Sequence, residues 1–288
     1  MGSEAPPCRP PGAEHPAVLG PDGAAYDLSG HTPEIDGRFL AGLDDAGRAA
    51  LAAALAAGAL PRLDLAGQRI GAPVARPGKV VGIGLNYRDH AAEAGMPAPS
   101  EPVVFLKPSN TVVGPDDEVL VPRGGEKTDY EVELAVVIGR TARYLESHRE
   151  ALDVIAGYAA VNDVTERAFQ LERGGQWDKG KSAETFTPLG PWLVTADEVG
   201  DPQRLGLRLW VNGELRQDGN TSEMIFPVAE LVRYVSRFMV LEPGDVIITG
   251  TPAGVTTGRP GTPFLKPSDV VEVEVDGLGR QRQVLGKA

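Results

Sequence analysis

The chain from residue 79 onward alternates short apolar runs with glycine- and proline-rich turns. Each run holds four to seven residues, mostly valine, isoleucine and leucine, and such short runs favour strands over helices. The long loops between them are places where binding and catalytic groups tend to lie. The predicted strands are 80–83, 103–106, 133–138, 155–161, 205–211, 246–249 and 270–275.

Helical periodicity is confined to a few segments. Residues 47–59 are rich in alanine and repeat apolar positions at helical spacing. In residues 228–238 the same spacing places Leu231, Val235 and Phe238 on one face of a predicted helix. Strands therefore outnumber helices, and the pattern as a whole predicts a β-rich α+β fold.

The first quarter of the chain has a different character. Residues 17–28 predict a hairpin around a Pro-Asp-Gly turn, and residues 63–77 form a linker punctuated by glycine and proline. The segment before the hairpin is rich in proline and glycine and lacks the apolar stretch of a secretion signal, so we expect disorder there. We therefore predict a disordered leader at 1–16, a small N-terminal domain at 17–78 and a larger domain at 79–288.

Composition and charge argue against several classes of protein. The 288 residues are 42% hydrophobic and 24% charged, which is typical of a chain with a packed core. A net charge of −12 without a lysine–arginine cluster argues against nucleic acid as a partner. No apolar run approaches the ~20 residues that span a bilayer, so no membrane partner is predicted. Cys8 is the only cysteine, which excludes an internal disulfide and favours a cytoplasmic location.

Three acidic residues lie beside predicted buried strands. Glu131 and Glu133 are two positions apart at the start of one strand, so their side chains share a face and repel each other when charged. Asp163 follows the end of another strand. A hard divalent cation such as Mg²⁺, Mn²⁺ or Ca²⁺ would relieve the repulsion and prefers such oxygen ligands. The alternatives are a strand end exposed to water for the glutamates and an ordinary Asn-Asp turn for Asp163.

A nucleotide-binding pattern is present but lacks its structural context. Residues 175–182 satisfy the G-x-x-x-x-G-K-S pattern of a phosphate-binding loop. That pattern requires a buried strand before it and a helix after it, whereas a polar, helix-like stretch precedes it and Pro188 follows soon after. Nucleotide binding is therefore not predicted. Lys181, next to Gly180, is expected on a loop that can approach a substrate closely.

A histidine and a glutamate form a candidate catalytic pair. A short helix at 89–94 would place His90 and Glu93 on one face, where the carboxylate could orient the imidazole. An ordinary surface pair is the alternative. Gly95 ends this helix, and glycines at both ends would let the segment move as a lid. Lys107, at the end of strand 103–106, is expected at the same rim.

Several motifs in order resemble the fumarylacetoacetate hydrolase family. The similarity runs from about residue 79 to 283 and includes Gly-Leu-Asn-Tyr-Arg-Asp-His, Asp-Tyr-Glu-Val-Glu-Leu-Ala, Val-Asn-Asp-Val-Thr and Leu-Glu-Pro-Gly-Asp-Val-Ile-Ile-Thr-Gly-Thr-Pro. The resemblance implies a catalytic domain with a mixed β-sandwich or roll fold, and often a homodimer. It further implies a Mg²⁺ or Mn²⁺ site at Glu131, Glu133 and Asp163, catalytic roles for His90, Glu93 and Lys181, and substrate contacts by Lys107, Gln170 and Thr251.

The same resemblance implies a reaction. Members similar to this chain hydrolyse a carbon–carbon bond of 2,4-diketo acids of the acylpyruvate type, so a small keto acid is the expected partner. Leu85 stands where acylpyruvase-like relatives have an arginine, and this difference leaves recognition of the carboxylate open. Alternatives on the same site are decarboxylation of a β-keto acid such as oxaloacetate and isomerisation or hydration of a 2-hydroxy-dienoate. A non-catalytic metal-binding protein with this fold is a further alternative.

Overall fold

The structure is a computed structural model that describes residues 14–93, 95–259 and 261–288. Most of the predicted leader, residues 1–13, lies outside the described residues. The strands are β1 (Ala17–Leu19), β2 (Ala25–Asp27), β3 (Arg62–Leu63), β4 (Val80–Gly84), β5 (Val103–Lys107), β6 (Val112–Val113), β7 (Val119–Val121), β8 (Thr128–Asp129), β9 (Val132–Ile138), β10 (Ile155–Asn162), β11 (Thr165–Glu166), β12 (Thr187–Pro188), β13 (Val194–Thr195), β14 (Gly206–Val211), β15 (Glu214–Asn220), β16 (Val246–Ile248), β17 (Val270–Val275) and β18 (Gly279–Lys287). The α-helices are α1 (Gly37–Ala41), α2 (Asp45–Ala56), α3 (Arg88–Glu93), α4 (His148–Asp153), α5 (Arg167–Leu171), α6 (Asp178–Lys181), α7 (Ala196–Val199) and α8 (Val228–Val235).

The N-terminal part contains a small sheet in the order β1-β2-β3. Its first two strands form the predicted hairpin and pair Ala17 with Asp27. Helix α2 begins two residues before its predicted start, because the Asp44 side chain accepts a hydrogen bond from the Gly47 N–H and caps the first turn. The predicted domain boundary near residue 78 stays a prediction.

A six-stranded sheet in the order β13-β10-β9-β16-β4-β5 forms the centre of the larger part. Strand β9 runs antiparallel to both neighbours and pairs Glu133 with Val161 of β10 and Ala135 with Ile248 of β16. The start of β9 therefore lies beside the ends of β10 and β16, at one edge of the sheet. This topology determines which polar side chains meet there.

A five-stranded sheet in the order β15-β14-β17-β18-β7 packs against the first. One buried apolar cluster joins the two, with Val132 and Val136 from β9, Leu209 from β14 and Val273 from β17. Packing of two sheets around a shared apolar core confirms the predicted β-rich α+β class. None of the helices in the described ranges is long and apolar enough to cross a membrane.

The apolar pattern located most central strands to within one or two residues but missed β15 and β18. Strand β18 carries the sequence Gly-Arg-Gln-Arg-Gln-Val-Leu-Gly-Lys, which has little apolar character. Its inward positions include Gln281 and Gln283, both 0% exposed. Their amides are hydrogen-bonded to backbone carbonyls, among them Ala160 and Pro115. Satisfied polar groups can therefore occupy core positions that hydrophobicity does not identify.

The helix predicted at 228–238 is shorter than expected. Helix α8 ends at Val235, and Ser236 caps it. Phe238 consequently does not continue the buried face of Leu231 and Val235, and 65% of its surface is exposed. The predicted helix runs past the observed end, because the apolar pattern alone does not mark where the chain leaves the helix.

Candidate active site

The three predicted acidic ligands meet at the edge of the six-stranded sheet. Glu131 immediately precedes β9, Glu133 lies within it, and Asp163 follows the last residue of β10. The Asp163 N–H donates to the Glu131 carbonyl over 2.9 Å, which joins the two segments. One oxygen from each carboxylate lies within 4.8 Å of the others, and only 5%, 1% and 0% of the three residues is exposed. The alternatives of a solvated strand end and an ordinary surface turn are therefore wrong.

Two buried lysines contact these carboxylates. The Nζ atom of Lys181 lies 2.7 Å from Glu131 and 2.5 Å from Asp163. Lys107 also pairs with Asp163 and donates to the Phe186 carbonyl over 2.8 Å. Burial lowers the pKa of Lys107, whereas for Lys181 the charges of Asp163 and Glu131 outweigh burial and raise the pKa. Lys181 can therefore serve the site as a buried cation, whereas burial works against the charged form of Lys107.

The placement of Lys181 differs from the loop expected from sequence. It ends helix α6, which packs closely on α5. A Cβ atom at Gly180 would lie only 2.5 Å from the Gln170 Cβ and 2.6 Å from the Glu166 carbonyl oxygen. Glycine at this position therefore allows the two helices to approach and brings Lys181 to the carboxylates. The phosphate-loop reading is excluded, since this lysine is paired with acids and a helix, not a buried strand, precedes the motif.

Arg167 is a buried charge that the sequence analysis did not identify. Its guanidinium donates to Glu131 over 2.6 Å, to Asp129 over 2.9 Å and to the Gln170 side-chain oxygen over 3.1 Å. Only 7% of Arg167 is exposed, and Asp129 is fully buried. The only sequence signal was a charged residue just after a buried strand end. Periodicity does not report which carboxylate such a charge will meet.

The neighbouring glutamates carry opposite electrostatic perturbations. Burial alone would raise the pKa of Glu131, but the positive charges of Lys181 and Arg167 lower it to about 2. The pKa of Glu133 is raised well above its ordinary value by burial and by the charges of Asp163 and Glu131. Within the described residues Glu133 forms no ion pair, and the Gly250 N–H donates to it over 2.7 Å. This buried carboxylate lacks the positive partner that a divalent cation would supply.

The residues therefore fit a hard divalent cation. The donor set consists of carboxylate oxygens, which Mg²⁺ and Mn²⁺ prefer, and the three acids converge from two strands. Glu131, Glu133 and Asp163 would hold the ion. The identity of the ion, Mg²⁺ or Mn²⁺, stays a prediction.

The predicted histidine–glutamate pair borders this cluster. His90 and Glu93 lie on α3, with 3.4 Å between Nδ1 of the ring and Oε2 of the carboxylate. Only 13% and 14% of the two side chains is exposed, so they are not an ordinary surface pair. Burial raises the pKa of Glu93, but the hydrogen bonds from His90 and the Gly254 N–H outweigh it and lower the pKa. The Gly254 N–H that binds Glu93 and the Gly250 N–H that binds Glu133 belong to one short segment after β16, which places the pair beside the acids.

The predicted substrate-contacting residues have different surroundings. Lys107 lies within the carboxylate cluster, and Gln170 reaches it through Arg167. Thr251 is instead engaged with the protein, because its hydroxyl donates to the Val132 carbonyl and accepts from Gln217, each over 2.8 Å. It thereby supports the start of β9. Contact of these three side chains with substrate, and movement of α3 as a lid, stay predictions.

Residues 79–285 match the protein family described as fumarylacetoacetate (FAA) hydrolase, C-terminal. The matched range includes every candidate site residue, from His90 to Thr251. The chain therefore belongs to the fumarylacetoacetate hydrolase family, as its motifs predicted.

Known relatives cover three quarters or more of the chain and carry the names of different activities. A protein of Burkholderia lata, provisionally named a hydrolase, is 54% identical over 275 residues, which are 95% of each chain. The solved 2-hydroxyhepta-2,4-diene-1,7-dioate isomerase of Mycobacterium marinum is 39% identical, with a TM-score of 0.66 over 75% of this chain and 77% of that one. Maleylpyruvate hydrolase of Sphingobium sp. SYK-6, solved with manganese(II) and pyruvate, is 31% identical, with a TM-score of 0.78 over 94% and 96% of the chains. Proteins with this fold thus include both hydrolases and isomerases.

Proposed function

We propose that the protein is a divalent-metal-dependent hydrolase that cleaves the C3–C4 bond of a 2,4-diketo acid of the acylpyruvate type. The observation that carries this proposal is a buried triad of carboxylates bordered by both a buried lysine and a histidine–glutamate pair. The triad suits a cation, the pair suits activation of water, and the lysine suits a developing negative charge. The products would be a pyruvate-type acid and a second carboxylic acid.

The metal site would be formed by Glu131, Glu133 and Asp163. When bound, Mg²⁺ or Mn²⁺ would supply Lewis acidity to the carboxylate and 2-oxo groups of the substrate. The support from relatives is that the maleylpyruvate hydrolase of Sphingobium was solved with manganese(II) and pyruvate. The buried carboxylates of the present chain offer the hard oxygen donors that manganese(II) prefers.

His90 is the proposed general base. With Glu93 accepting the proton of Nδ1, the other ring nitrogen is left as the basic one. That nitrogen would take a proton from water as the water oxygen attacks C4 of the substrate. Glu93 would then stabilise the protonated ring, because its carboxylate already lies against it.

Lys181 is the proposed partner of the oxyanion that forms at C4. Lys181 is 2% exposed and its ammonium group lies among the carboxylates, where little water screens its charge. Breaking of the C3–C4 bond releases the carboxylic acid from the C4 side. The electron pair left at C3 is protonated, which completes the pyruvate-type product.

An isomerase acting on a 2-hydroxy-dienoate is the second candidate. The observation that favours it is the 39% identity to the isomerase of Mycobacterium marinum. Such a reaction would use His90 and Glu93 for proton transfer alone, without attack by water. The two candidates are therefore separated by their products and not by the residues involved.

A panel of substrates tests the proposal. Short acylpyruvates, oxaloacetate and a 2-hydroxy-dienedioate are incubated with the chelated protein, with and without added Mn²⁺ or Mg²⁺. We expect metal-dependent release of pyruvate together with the matching carboxylic acid. Pyruvate from oxaloacetate alone, with CO₂, would assign a decarboxylase, and isomerised dienoate without pyruvate would assign an isomerase.

Replacement of the proposed base gives a second test. His90→Ala should lower kcat for hydrolysis by about 10²–10⁴-fold, the usual contribution of a general base. His148→Ala is the matched control, because His148 also pairs with a glutamate, Glu230 at 2.9 Å, on an exposed surface. That control should keep full activity. Full turnover in the His90 variant would disprove the proposed activation of water.

A further inference from the structure

A short loop binds two buried or half-buried carboxylates, those of Glu93 and Asp129. The loop comprises residues 254–259 and includes the 3₁₀ turn Thr256–Gly258. At one end the Gly254 N–H donates to both oxygens of Glu93, over 3.1 and 3.0 Å. A Cβ atom at Gly258 would lie 2.5 Å from the carboxyl carbon of Glu93, so the loop backbone packs directly on this side chain. The loop thus determines where the orienting carboxylate of the histidine pair can lie.

The middle of the same loop is anchored by Asp129. The carboxylate of Asp129 accepts hydrogen bonds from the Thr256 N–H over 3.0 Å, the Thr257 N–H over 3.2 Å and the Thr257 hydroxyl over 3.1 Å. Asp129 is 0% exposed, so water cannot replace these partners. A change at Asp129 would therefore release the loop that seats Glu93.

Asp129 also reaches the carboxylate triad. It accepts from the Arg167 guanidinium over 2.9 Å, and the same guanidinium donates to Glu131 over 2.6 Å. An uninterrupted chain of contacts therefore runs from Glu93 through the loop to Asp129, then through Arg167 to Glu131. Asp129 itself belongs to neither the triad nor the histidine pair.

We propose that Asp129 is a positioning residue that holds the two halves of the site in register, one through the 254–259 loop and the other through Arg167. The effect on turnover rests on the proposed hydrolase function, whereas the effect on the orientation of His90 does not. Asparagine at this position keeps the size of the side chain but presents an NH₂ group where the Arg167 guanidinium and the Thr256 and Thr257 N–H groups can only donate. The Glu93–His90 contact, already 3.4 Å long, would break after a small shift of the loop.

Asp245 provides a matched control. It is also 0% exposed and also binds a turn, since it accepts from the backbone N–H groups of Lys79 over 2.8 Å and Glu242 over 2.7 Å. The side-chain ammonium of Lys79 lies 2.8 Å from the Asp245 carboxylate. Asp245 precedes β16, at the end of that strand opposite to Gly250. Loss of its charge should lower stability without reaching the site.

The experiment compares Asp129→Asn with Asp245→Asn in the full-length, Mg²⁺-loaded protein. The first readout is the tautomer of His90 from ¹⁵N NMR shifts, with Glu93→Ala as the reference for an unoriented ring. We expect Asp129→Asn to shift the tautomer populations toward those of Glu93→Ala, and Asp245→Asn to keep those of the wild type. This readout needs no substrate, so it remains decisive if the hydrolase proposal fails.

The second readout is turnover of whichever substrate the panel identifies. We expect kcat of Asp129→Asn to fall by roughly 10- to 100-fold, with KM changed by less than about threefold. Thr257→Val removes only one hydroxyl from the network, so it should shift both readouts in the same direction as Asp129→Asn but by a smaller amount. This variant replaces Asp129→Asn in the test if Asp129→Asn does not fold. Unchanged tautomer populations in both the Asp129 and Thr257 variants would overturn the proposal and leave Asp129 with a purely structural role.

Discussion

Glu131 and Glu133 lie two positions apart and show how two identical residues acquire pKa values shifted in opposite directions. Glu131 is paired with Lys181 and Arg167, which favour its charged form. Glu133 accepts one hydrogen bond from the Gly250 N–H, but burial and the charges of two other acids favour its neutral form. The pairing of one and the isolation of the other leave a buried carboxylate without a positive partner. Such a carboxylate is suited to binding a cation and is unfavourable for the metal-free fold.

Neutralising the two glutamates one at a time should therefore change the free energy of unfolding in opposite directions. The pKa of Glu131 falls from 4.5 to about 2 on folding, so its charge stabilises the fold above pH 4.5 and this stabilisation is lost as the pH falls toward 2. Glu131→Gln should lower the free energy of unfolding at pH 7 by on the order of 3 kcal/mol. The raised pKa of Glu133 opposes folding above the ordinary value of 4.5, so Glu133→Gln should stabilise the metal-free protein.

Urea unfolding of the two chelated variants measures both effects, and thermal melts with Mn²⁺ complete the test. A saturating ion should raise the melting temperature of the wild type, since a ligand at 100 times its Kd adds about 2.7 kcal/mol of stability. Glu133→Gln should lose most of this increase. Destabilisation of the metal-free Glu133→Gln protein would contradict the argument that its charge lacks a partner.

At the scale of elements, the packing of α6 on α5 decides whether Lys181 reaches the carboxylates. Both helices are short, with five residues in α5 and four in α6, so neither is stable on its own. Their contact depends on the missing side chain of Gly180. The position of Lys181 is thus determined by the size of its neighbour in the chain.

Gly180→Ala should consequently be harmful although alanine favours helices. Its methyl group would lie 2.5 Å from the Gln170 Cβ, so α6 must shift away from α5 and carry Lys181 with it. We expect kcat to fall at least tenfold, because a displacement of about 1 Å at a site commonly costs up to 10²-fold. Gly30→Ala is the control, since nothing lies within 4 Å of a Cβ atom there. Equal activity of the two variants would show that α6 accommodates the methyl group.

At the scale of the molecule, polar residues hold the two large sheets together beside the apolar core. Gln281 of β18 donates from its amide to the Ala160 carbonyl of β10 over 2.9 Å and to the Gly190 carbonyl over 2.8 Å. It therefore joins the sheet that carries Asp163 to the second sheet. Homodimer formation and a cytoplasmic location, which the sequence suggests, stay predictions.

Gln281→Leu should weaken the attachment of the two sheets. The change keeps a side chain of similar size but leaves the buried Gly190 carbonyl without this donor, which costs about 1–3 kcal/mol. The Ala160 carbonyl keeps its hydrogen bond from the Gly190 N–H. Arg282→Leu, at the next and exposed position of β18, should change the unfolding free energy by less than about 0.5 kcal/mol. Guanidinium chloride unfolding of both proteins is the measurement. A Gln281 variant as stable as the wild type would mean that these bonds contribute little.

The features that follow from local geometry were predictable from the order of residues. Alternation along a strand is a local property, so the apolar runs located most central strands and placed Glu131 and Glu133 on one face. Helical spacing likewise paired His90 with Glu93. The position of Asp163 at a strand end grouped it with the two glutamates, and family motifs added Lys181 to the same site. The structure brings these residues together.

Partners that come from distant segments were decided by the tertiary structure alone. Arg167 and Asp129 are 38 positions apart, and Asp129 lies 127 positions from the loop residue Thr256. Such pairs depend on strand register and on the path of loops, which no local pattern encodes. The same holds for the buried glutamines of β18, whose polar character conceals their place in the core. Local periodicity thus determined the strands and the shared face of the acids, whereas three-dimensional packing assigned each charge its partner.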